Sequence, residues 1–169
     1  AISRARTHSL YLNQYFRKYK GESRSRHAHA LAQIYIETGL LRTIREDGMG
    51  AGHAYGPFYG RGYNQLTWAD NYRLYGLYKG IQNQATPAFT DSRITTASTH
   101  PKDPEGELIH WSPRFDPQIV ETDLTHAAES SGFYWISKSF RGRKNMNRVC
   151  DLPFDPSSVG FNCWLINGG

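Results

Sequence analysis

Two amphipathic segments, each closed by a glycine, set the architecture of the first forty residues. Residues 8–20 repeat apolar side chains at helical spacing and are followed by Gly21, and residues 27–38 do the same before Gly39. This spacing predicts two helices that each bury one face. Glycine is the usual residue just beyond a helix C-terminus, so both helices are expected to stop there.

Three further helices are predicted downstream. One begins at Thr67, where Thr67 and Asp70 form a variant of the capping box. Another covers much of residues 118–138, and the last covers residues 156–167 with Asp155 as its N-cap.

The segments between the helices are short or irregular. Residues 40–47 alternate in polarity, which predicts a short strand, and residues 48–56 hold four glycines, which predicts a turn. Residues 84–117 are rich in Pro, Thr, Ser and Asp and predict a long irregular excursion. We expect one domain over residues 1–169, cut from a longer protein, with a mainly α fold and a small β-hairpin element.

Charge is unevenly distributed along the chain. Residues 1–84 carry 12 Lys and Arg against 5 Asp and Glu, whereas residues 85–169 carry 8 against 10. A basic front half favours an anionic partner, such as nucleic acid, a membrane surface or an acidic cell-wall polymer. No recognised nucleic-acid motif accompanies the charge, and no run has the length of a membrane span. We therefore expect neither nucleic-acid binding nor membrane insertion.

The cysteines and histidines do not predict a metal site. Cys150 and Cys163 are spaced to close one disulfide, or else to serve as two small buried side chains. His27 and His29 lie two residues apart and point away from each other on a helix. We expect no metal and no cofactor.

Glu37 is the first candidate for catalysis. It lies three residues after Ile34, so it shares the apolar side of the second helix, at the very end of that helix. A carboxyl group held against apolar atoms resists ionisation, which raises its pKa, and a general acid at neutral pH needs a raised pKa. The alternative is a helix-end glutamate that simply reaches water.

Glu46 closes the predicted strand, nine residues after Glu37. Because Gly39 breaks the helix, the strand can fold back and bring a second carboxylate across a cleft from the first. Two such carboxylates are the usual equipment for cleaving a glycosidic bond. The alternative for Glu46 is a solvated turn residue.

A glycine-hinged aromatic segment, 58-FYGRGYNQLTWADNY-72, follows these acids. Together with 32-AQIYIETG-39 it resembles glycoside hydrolase family 19, the chitinases and endolysins with a lysozyme-like α+β fold. The family pattern is a helix ending in Ala-Gln-x-x-x-Glu-(Ser/Thr)-Gly, a second glutamate, and then Tyr-x-Gly-Arg-Gly-x-x-Gln-Leu-(Ser/Thr). The match covers residues 28–75, and 164-WLINGG-169 is similar to the family's Ile-Asn-Gly-Gly.

The resemblance implies a role for each matched residue. Glu37 would be the general acid, Glu46 the general base, and Thr67 would help to hold the attacking water. We expect Arg61 to be structural, either bracing the glycine loop or pairing with a carboxylate. The residues implied to contact the sugars are Tyr59, Gln65, Asn71 and Asn167. Family members invert the anomeric carbon, so the two carboxyl groups should lie about 6.5–9.5 Å apart.

The sequence departs from the family at three places. Ile36 stands where the family usually has a histidine before the catalytic glutamate, residues 84–117 have no counterpart, and the chain stops at Asn-Gly-Gly. The last two departures leave the far side of the cleft and the substrate preference open.

The expected activity is that of a lysozyme-type peptidoglycan hydrolase, or muramidase. It would cut β-1,4 bonds between amino sugars by inverting acid/base hydrolysis. The basic front half favours peptidoglycan glycan strands over chitin. The alternatives are a chitinase, a lytic transglycosylase that uses Glu37 alone, and a non-catalytic wall-binding module.

The resemblance also implies where such a domain acts. We expect action outside the cytoplasm, at the periplasm or cell wall of a target bacterium. A phage endolysin, a secreted enzyme or the wall-cutting part of an antibacterial toxin would each fit, and the delivery route stays open. We expect a monomer, and a partner protein that inhibits the enzyme to protect the producing cell would be compatible with this hypothesis.

Overall fold

The chain folds mainly into helices. The computed structural model describes residues 2–84, 88–101, 108–111, 115–140, 143–153 and 156–167. The α-helices in these ranges are α1 (Ile2–Tyr19), α2 (Arg24–Glu37), α3 (Ala69–Lys79), α4 (Ile119–Thr122), α5 (Leu124–Ser137), α6 (Asn147–Cys150) and α7 (Pro156–Asn167). The strands are β1 (Thr99–Pro101), β2 (Leu108–His110), β3 (Ser139–Phe140) and β4 (Arg143–Lys144). Strand β1 pairs with β2 and strand β3 with β4, both antiparallel. The predicted mainly α fold with small β elements is confirmed.

The first two helices form as their sequences predict. Helix α1 starts at Ile2, earlier than residue 8, because the polar residues before its apolar stripe contain no helix breaker. Ser23 caps α2 by accepting a hydrogen bond from the backbone N–H of Arg26. Beyond α1, Gly21 adopts a positive φ of 60°, a conformation that glycine tolerates best.

Helix α5 is the central element of the fold. It packs along α1 and also contacts α3 and α4. One hydrophobic cluster lies beneath α1 and α2 and includes Tyr15, Ile34 and Trp135. A second, largely aromatic cluster lies beneath α3 and includes Phe58 and Trp111. Buried aromatic side chains therefore supply much of the core, as the many tyrosines suggest.

The predicted strand over residues 40–47 is wrong except at one position. Gly39, Leu40 and Leu41 all adopt positive φ angles of 52°, 68° and 59°, so the chain turns back on itself after α2. Extended pairing appears only at Arg45, which forms a single antiparallel bridge with the chain at residue 61.

Thr38 stabilises this turn and explains why it replaces the strand. The Thr38 hydroxyl donates to the carbonyl of Ile34 at 2.5 Å and accepts the N–H of Leu41 at 2.9 Å. The Thr38 carbonyl also accepts the N–H groups of Arg42 and Thr43. These local hydrogen bonds compete with strand pairing and prevail here.

The predicted capping box of α3 is also wrong. The N-cap is Trp68, with a φ of 69° and no side-chain cap, and the helix begins at Ala69. Thr67 therefore lies one residue too early to cap the helix. The carboxylate of Asp70 instead accepts a hydrogen bond from Nε of Arg73 at 2.7 Å.

Two other predicted segments agree with the structure only in part. The helix predicted over residues 118–138 is divided into α4 and α5 by Asp123, whose carboxylate accepts the N–H of Thr125 and caps α5. In the described part of residues 84–117 the regular structure is limited to β1 and β2. Helix α7 begins at Pro156 as predicted, and its predicted cap, Asp155, lies outside the described residues.

Both cysteines are free thiols. Cys150 is buried in the first cluster, and the side-chain amide of Gln33 donates to Sγ of Cys163 at 3.0 Å. Of the two open interpretations, the structure therefore favours separate side chains over a disulfide.

None of the helices in the described ranges is both long and apolar enough to cross a membrane.

The contact between α1 and α5 predicts the effect of a single methyl group. A Cβ added at Gly132 of α5 would overlap the ring of Tyr19. We expect Gly132→Ala to lower the free energy of unfolding by at least about 1–3 kcal/mol, the usual range for overpacking. Urea denaturation measures this.

Gly160→Ala is the matched control, because a Cβ there meets open space within α7. It should raise stability by roughly 0.5–1 kcal/mol, since alanine favours the helix. Equal stability of wild type and Gly132→Ala would contradict the close packing of α1 on α5.

Candidate active site

A cleft of about 480 Å³ lies between the end of α2 and the segment that carries the Arg45 bridge. Four of the residues singled out from the sequence line it together: Glu37, Glu46, Gln65 and Thr67. The cleft therefore collects both candidate acids and two neighbouring polar side chains in one place. It is the natural candidate for an active site.

Glu37 is the last residue of α2 and is half-buried in the cleft wall. Burial raises the pKa of its carboxyl group above the ordinary value of 4.5. Among the described residues no side chain donates a hydrogen bond to this carboxyl group or forms an ion pair with it. Desolvation without a compensating partner is the environment that keeps a carboxylic acid protonated at higher pH.

Glu46 has the opposite environment. Its Oε1 accepts the hydroxyl of Tyr55 at 2.7 Å, and its Oε2 accepts the backbone N–H of Gly60 at 2.8 Å. The backbone N–H of Glu46 also donates to the carbonyl of Gly60 at 2.8 Å. These three hydrogen bonds fix both the position and the orientation of the carboxylate.

Tyr55 is a site residue that the sequence reasoning missed. Burial and the neighbouring Glu46 raise the pKa of Tyr55 to about 12, so its hydroxyl stays protonated and keeps donating. Its ring stacks on His53 at 4.9 Å and meets Trp68 edge-on at 5.7 Å. The available signal was an aromatic residue inside the glycine-rich turn before the motif, but its partner could not be inferred from spacing.

Arg61 lies behind the cleft and braces the loop that carries Gly60. Its guanidinium is fully buried and donates to the carbonyl of Pro57 at 3.1 Å and to the hydroxyl of Tyr72 at 3.0 Å. Its Nε forms an ion pair with Glu121 at 3.3 Å, where the Glu121 side chain is only 7% exposed. Arg61 therefore both braces the loop and pairs with a carboxylate, the two structural roles expected for it.

Gln65 and Thr67 occupy the cleft wall on the far side of this loop. Gln65 has a positive φ of 49°, and its side-chain amide donates to the carbonyl of Gly62 at 2.9 Å. The side chain of Gln65 lies so close to Gly60 that a Cβ there would collide with it. Thr67 does not cap α3, and it is one of the residues that line the cleft.

Two of the other predicted sugar contacts, Tyr59 and Asn71, do not line this cleft. Tyr59 is 1% exposed, with the Arg61 guanidinium 3.4 Å from its ring centroid and its hydroxyl 3.3 Å from Glu121. The side chain of Asn71 donates to the carbonyl of Thr67 at 2.9 Å. Asn167 ends α7, and its side chain lies outside the described part of the chain.

Within the described ranges no cluster of three or more His, Cys, Asp or Glu side chains is placed to hold a metal ion.

The architecture is an α-rich, lysozyme-like fold. A crystal structure of chitinase C, in a variant with glutamine in place of one glutamate, is similar with a TM-score of 0.54 and 23% identity. The likeness covers 83% of this chain and 58% of the chitinase chain, so this chain spans less than two thirds of that protein's length. No family model and no curated protein matches the sequence. The likeness shows the fold, and membership of family 19 stays a prediction.

The environment of Glu37 predicts a pH-dependent stability. Because its pKa in the folded protein lies above the ordinary 4.5, the wild type loses stability as pH rises through the folded pKa. Glu37→Gln cannot ionise, so it should melt at the same temperature as wild type near about pH 4 and at a higher temperature near about pH 8. Thermal unfolding followed by circular dichroism across this range measures the difference.

Glu22→Gln is the control, since Glu22 is exposed and its replacement removes the same charge. A Glu37→Gln protein that is no more stable than wild type at high pH would show that Glu37 is not desolvated.

Proposed function

We propose that the protein is a lysozyme-type peptidoglycan hydrolase that cuts β-1,4 bonds between amino sugars with inversion. The observation that carries this proposal is the pair of glutamates lining one cleft in unlike environments. Glu37 is half-buried and has a raised pKa, whereas Glu46 is held by two donors. An acid and a base that operate at the same pH require such a difference.

In this mechanism Glu37 donates its proton to the bridging oxygen as the bond to the anomeric carbon breaks. Glu46 takes a proton from a water molecule, and the water oxygen attaches to the anomeric carbon from the opposite face. Each oxygen of Glu46 still has a free lone pair after accepting from Tyr55 and Gly60, so the carboxylate retains room for this proton. Solvent then returns both groups to their starting states.

Thr67 and Gln65 supply the polar groups that position the reactants. A threonine hydroxyl can accept and donate at once, so Thr67 can hold the attacking water in a position from which the water donates a hydrogen bond to Glu46. The amide of Gln65 offers donors and an acceptor to the sugar substituents. Preorganised groups of this kind lower the barrier because they do not need to reorient during the reaction.

The choice of peptidoglycan rests on charge. The excess of Lys and Arg lies in residues 1–84, which also supply the lining of the cleft. An anionic wall polymer would be attracted to such a surface. The proposal accordingly puts the protein's action outside the cytoplasm, as a monomer acting on glycan strands.

Chitin is the second candidate substrate, because the similar solved structure is a chitinase. Both polymers present N-acetylated amino sugars in β-1,4 linkage, so the same two carboxyl groups would serve. A lytic transglycosylase would need Glu37 alone, and it remains an outcome for the experiment to detect.

Mass spectrometry of the released fragments tests the proposal. Purified peptidoglycan and chitin are each digested, and the fragment ends are identified. We expect fragments with reducing ends from peptidoglycan. Glu37→Gln should lower the release rate by roughly 10²–10⁴-fold, the usual contribution of a general acid. Glu46→Gln should lower the rate by a similar factor.

Glu22→Gln serves as the control and should retain full activity. Anhydro ends together with an active Glu46→Gln protein would mean transglycosylation. If the wild type and all variants bind walls but release no glycan fragments, the protein is a binding module. A fully active Glu37→Gln protein would contradict the assignment of Glu37 as the general acid.

The electrostatic part of the proposal predicts a salt effect. The Debye length falls from about 8 Å at 0.15 M salt to about 3 Å at 1 M salt. Co-sedimentation of the Glu37→Gln protein with purified walls should weaken by roughly fivefold over this range, as expected for about 1 kcal/mol of screened attraction. Chitin particles provide the uncharged comparison, and equal binding to walls at both salt concentrations would contradict the role of charge.

A further inference from the structure

A second cavity of about 330 Å³ adjoins the cleft on the side of α1. The two cavities share Thr43 and Arg45 in their walls, so a ligand in the cleft could extend directly into the second cavity. We call this second cavity the basic annex, because Arg42 and Arg45 lie in its wall. His8 of α1 and Glu121 of α4 complete its polar lining.

The annex and the cleft carry opposite charge. The cleft is lined by Glu37, Glu46 and Asp47, with Arg45 at its border with the annex. On the annex side, Arg42 is exposed and forms no ion pair with any residue in the described ranges. A ligand that spans both cavities would therefore meet acidic groups at one end and guanidinium groups at the other.

Glu121 does not neutralise the annex. Its side chain is 7% exposed and forms the closer ion pair with Arg61, at 3.3 Å. Arg45 lies 4.0 Å from the same carboxylate, and 55% of the Arg45 side chain is exposed to solvent. Glu121 is thus mainly paired with the buried Arg61, so the positive charge of the exposed Arg42 and Arg45 is not fully compensated.

The annex backbone is fixed before any ligand arrives. The Thr43 hydroxyl donates to the carbonyl of Arg45 at 2.9 Å and accepts the N–H of Arg45 at 3.0 Å. Nδ1 of His8 lies 2.9 Å from the hydroxyl of the buried Tyr63, which holds the imidazole against the wall. Burial lowers the pKa of His8, so the positive charge of the annex comes from its arginines.

We propose that the annex binds a carboxylate carried by muramic acid, either one on its peptide stem or, where the stem has been removed, the lactyl carboxylate that its removal exposes. This inference rests on the proposed function, because it requires a glycan strand in the cleft. Arginine suits the task, since its planar guanidinium matches a carboxylate with paired hydrogen bonds. Chitin carries no carboxylate, so the annex would make the protein prefer peptidoglycan.

Binding to three forms of the same wall tests the annex. The first form is native peptidoglycan, whose stems carry free carboxylates while the lactyl carboxyl group forms the amide bond to the stem. The second is stripped of peptides by an amidase, which exposes the lactyl carboxylate, and the third has every carboxyl group amidated. The proteins are Glu37→Gln alone, and Glu37→Gln combined with Arg42→Gln or with Arg45→Gln. The combination with Arg148→Gln is the control, because Arg148 is exposed on α6 and its loss removes the same charge.

We expect Arg42→Gln and Arg45→Gln each to weaken binding to native walls by about two- to fivefold, the effect of losing one exposed ion pair. Neither should alter binding to amidated walls, and Arg148→Gln should alter none of the three. An effect on native walls identifies a stem carboxylate, and an effect on stripped walls shows that the annex also accepts the lactyl carboxylate exposed there. Both results support the annex.

Equal binding of the annex variants and the control to native walls would overturn the proposal, and so would an equal loss on amidated walls. This binding readout does not depend on catalysis. If the wild type releases no fragments but the arginine effect holds, the proposed hydrolysis fails and the annex stands. If fragments are released but the arginines have no effect, the hydrolysis stands and the annex fails.

Discussion

The candidate site depends on the contacts that the buried guanidinium of Arg61 makes in the interior. Its side chain ties the loop at Pro57 to Tyr72 of α3 and to Glu121 of α4. Its backbone forms the two antiparallel bridges, one to Arg45 and one to Leu66. Removing one partner of a buried ion pair typically destabilises a protein by about 3–5 kcal/mol, because the remaining charge is left without compensation. Arg61 thus holds the glycine loop through its side chain, and it holds the segment that carries Glu46 through its backbone.

The two candidate acids differ because they depend on this framework in different ways. Glu46 follows Arg45 directly and lies opposite Gly60, so the bridge itself brings its carboxylate to its donors. Glu37 ends α2 and is placed by the turn at Thr38. A half-buried carboxyl group without a described donor lowers the stability of the folded protein at high pH. This cost is expected at a functional site, where a general acid needs a raised pKa.

The sequence predicts the helices better than the connections. Apolar periodicity and glycine stops locate α1 and α2 because both signals are local. The turn at Leu40 and Leu41 could not be predicted, since positive φ at two leucines goes against their intrinsic preference and depends on the Thr38 hydrogen bonds. The start of α3 was misplaced for the same reason, because Trp68 adopts an equally unfavoured conformation.

The candidate site shows the same contrast between what the sequence predicts and what only the folded structure reveals. The resemblance to family 19 predicts that Glu37, Glu46, Gln65 and Thr67 share one site, and all four line the same cleft. It could not show that Tyr59 packs under a guanidinium, because burial depends on contacts distant in sequence.

The anchoring of Glu46 has a mechanical consequence. Its carboxylate is linked to Gly60 through both main chain and side chain, so the base moves only when the whole glycine loop moves. Glu37 has no comparable tether among the described residues. Under the proposed function, Glu37 would therefore be the side chain that adjusts to an entering sugar ring, and the Glu46 carboxylate would be the fixed reference against which the bond to be cut is aligned.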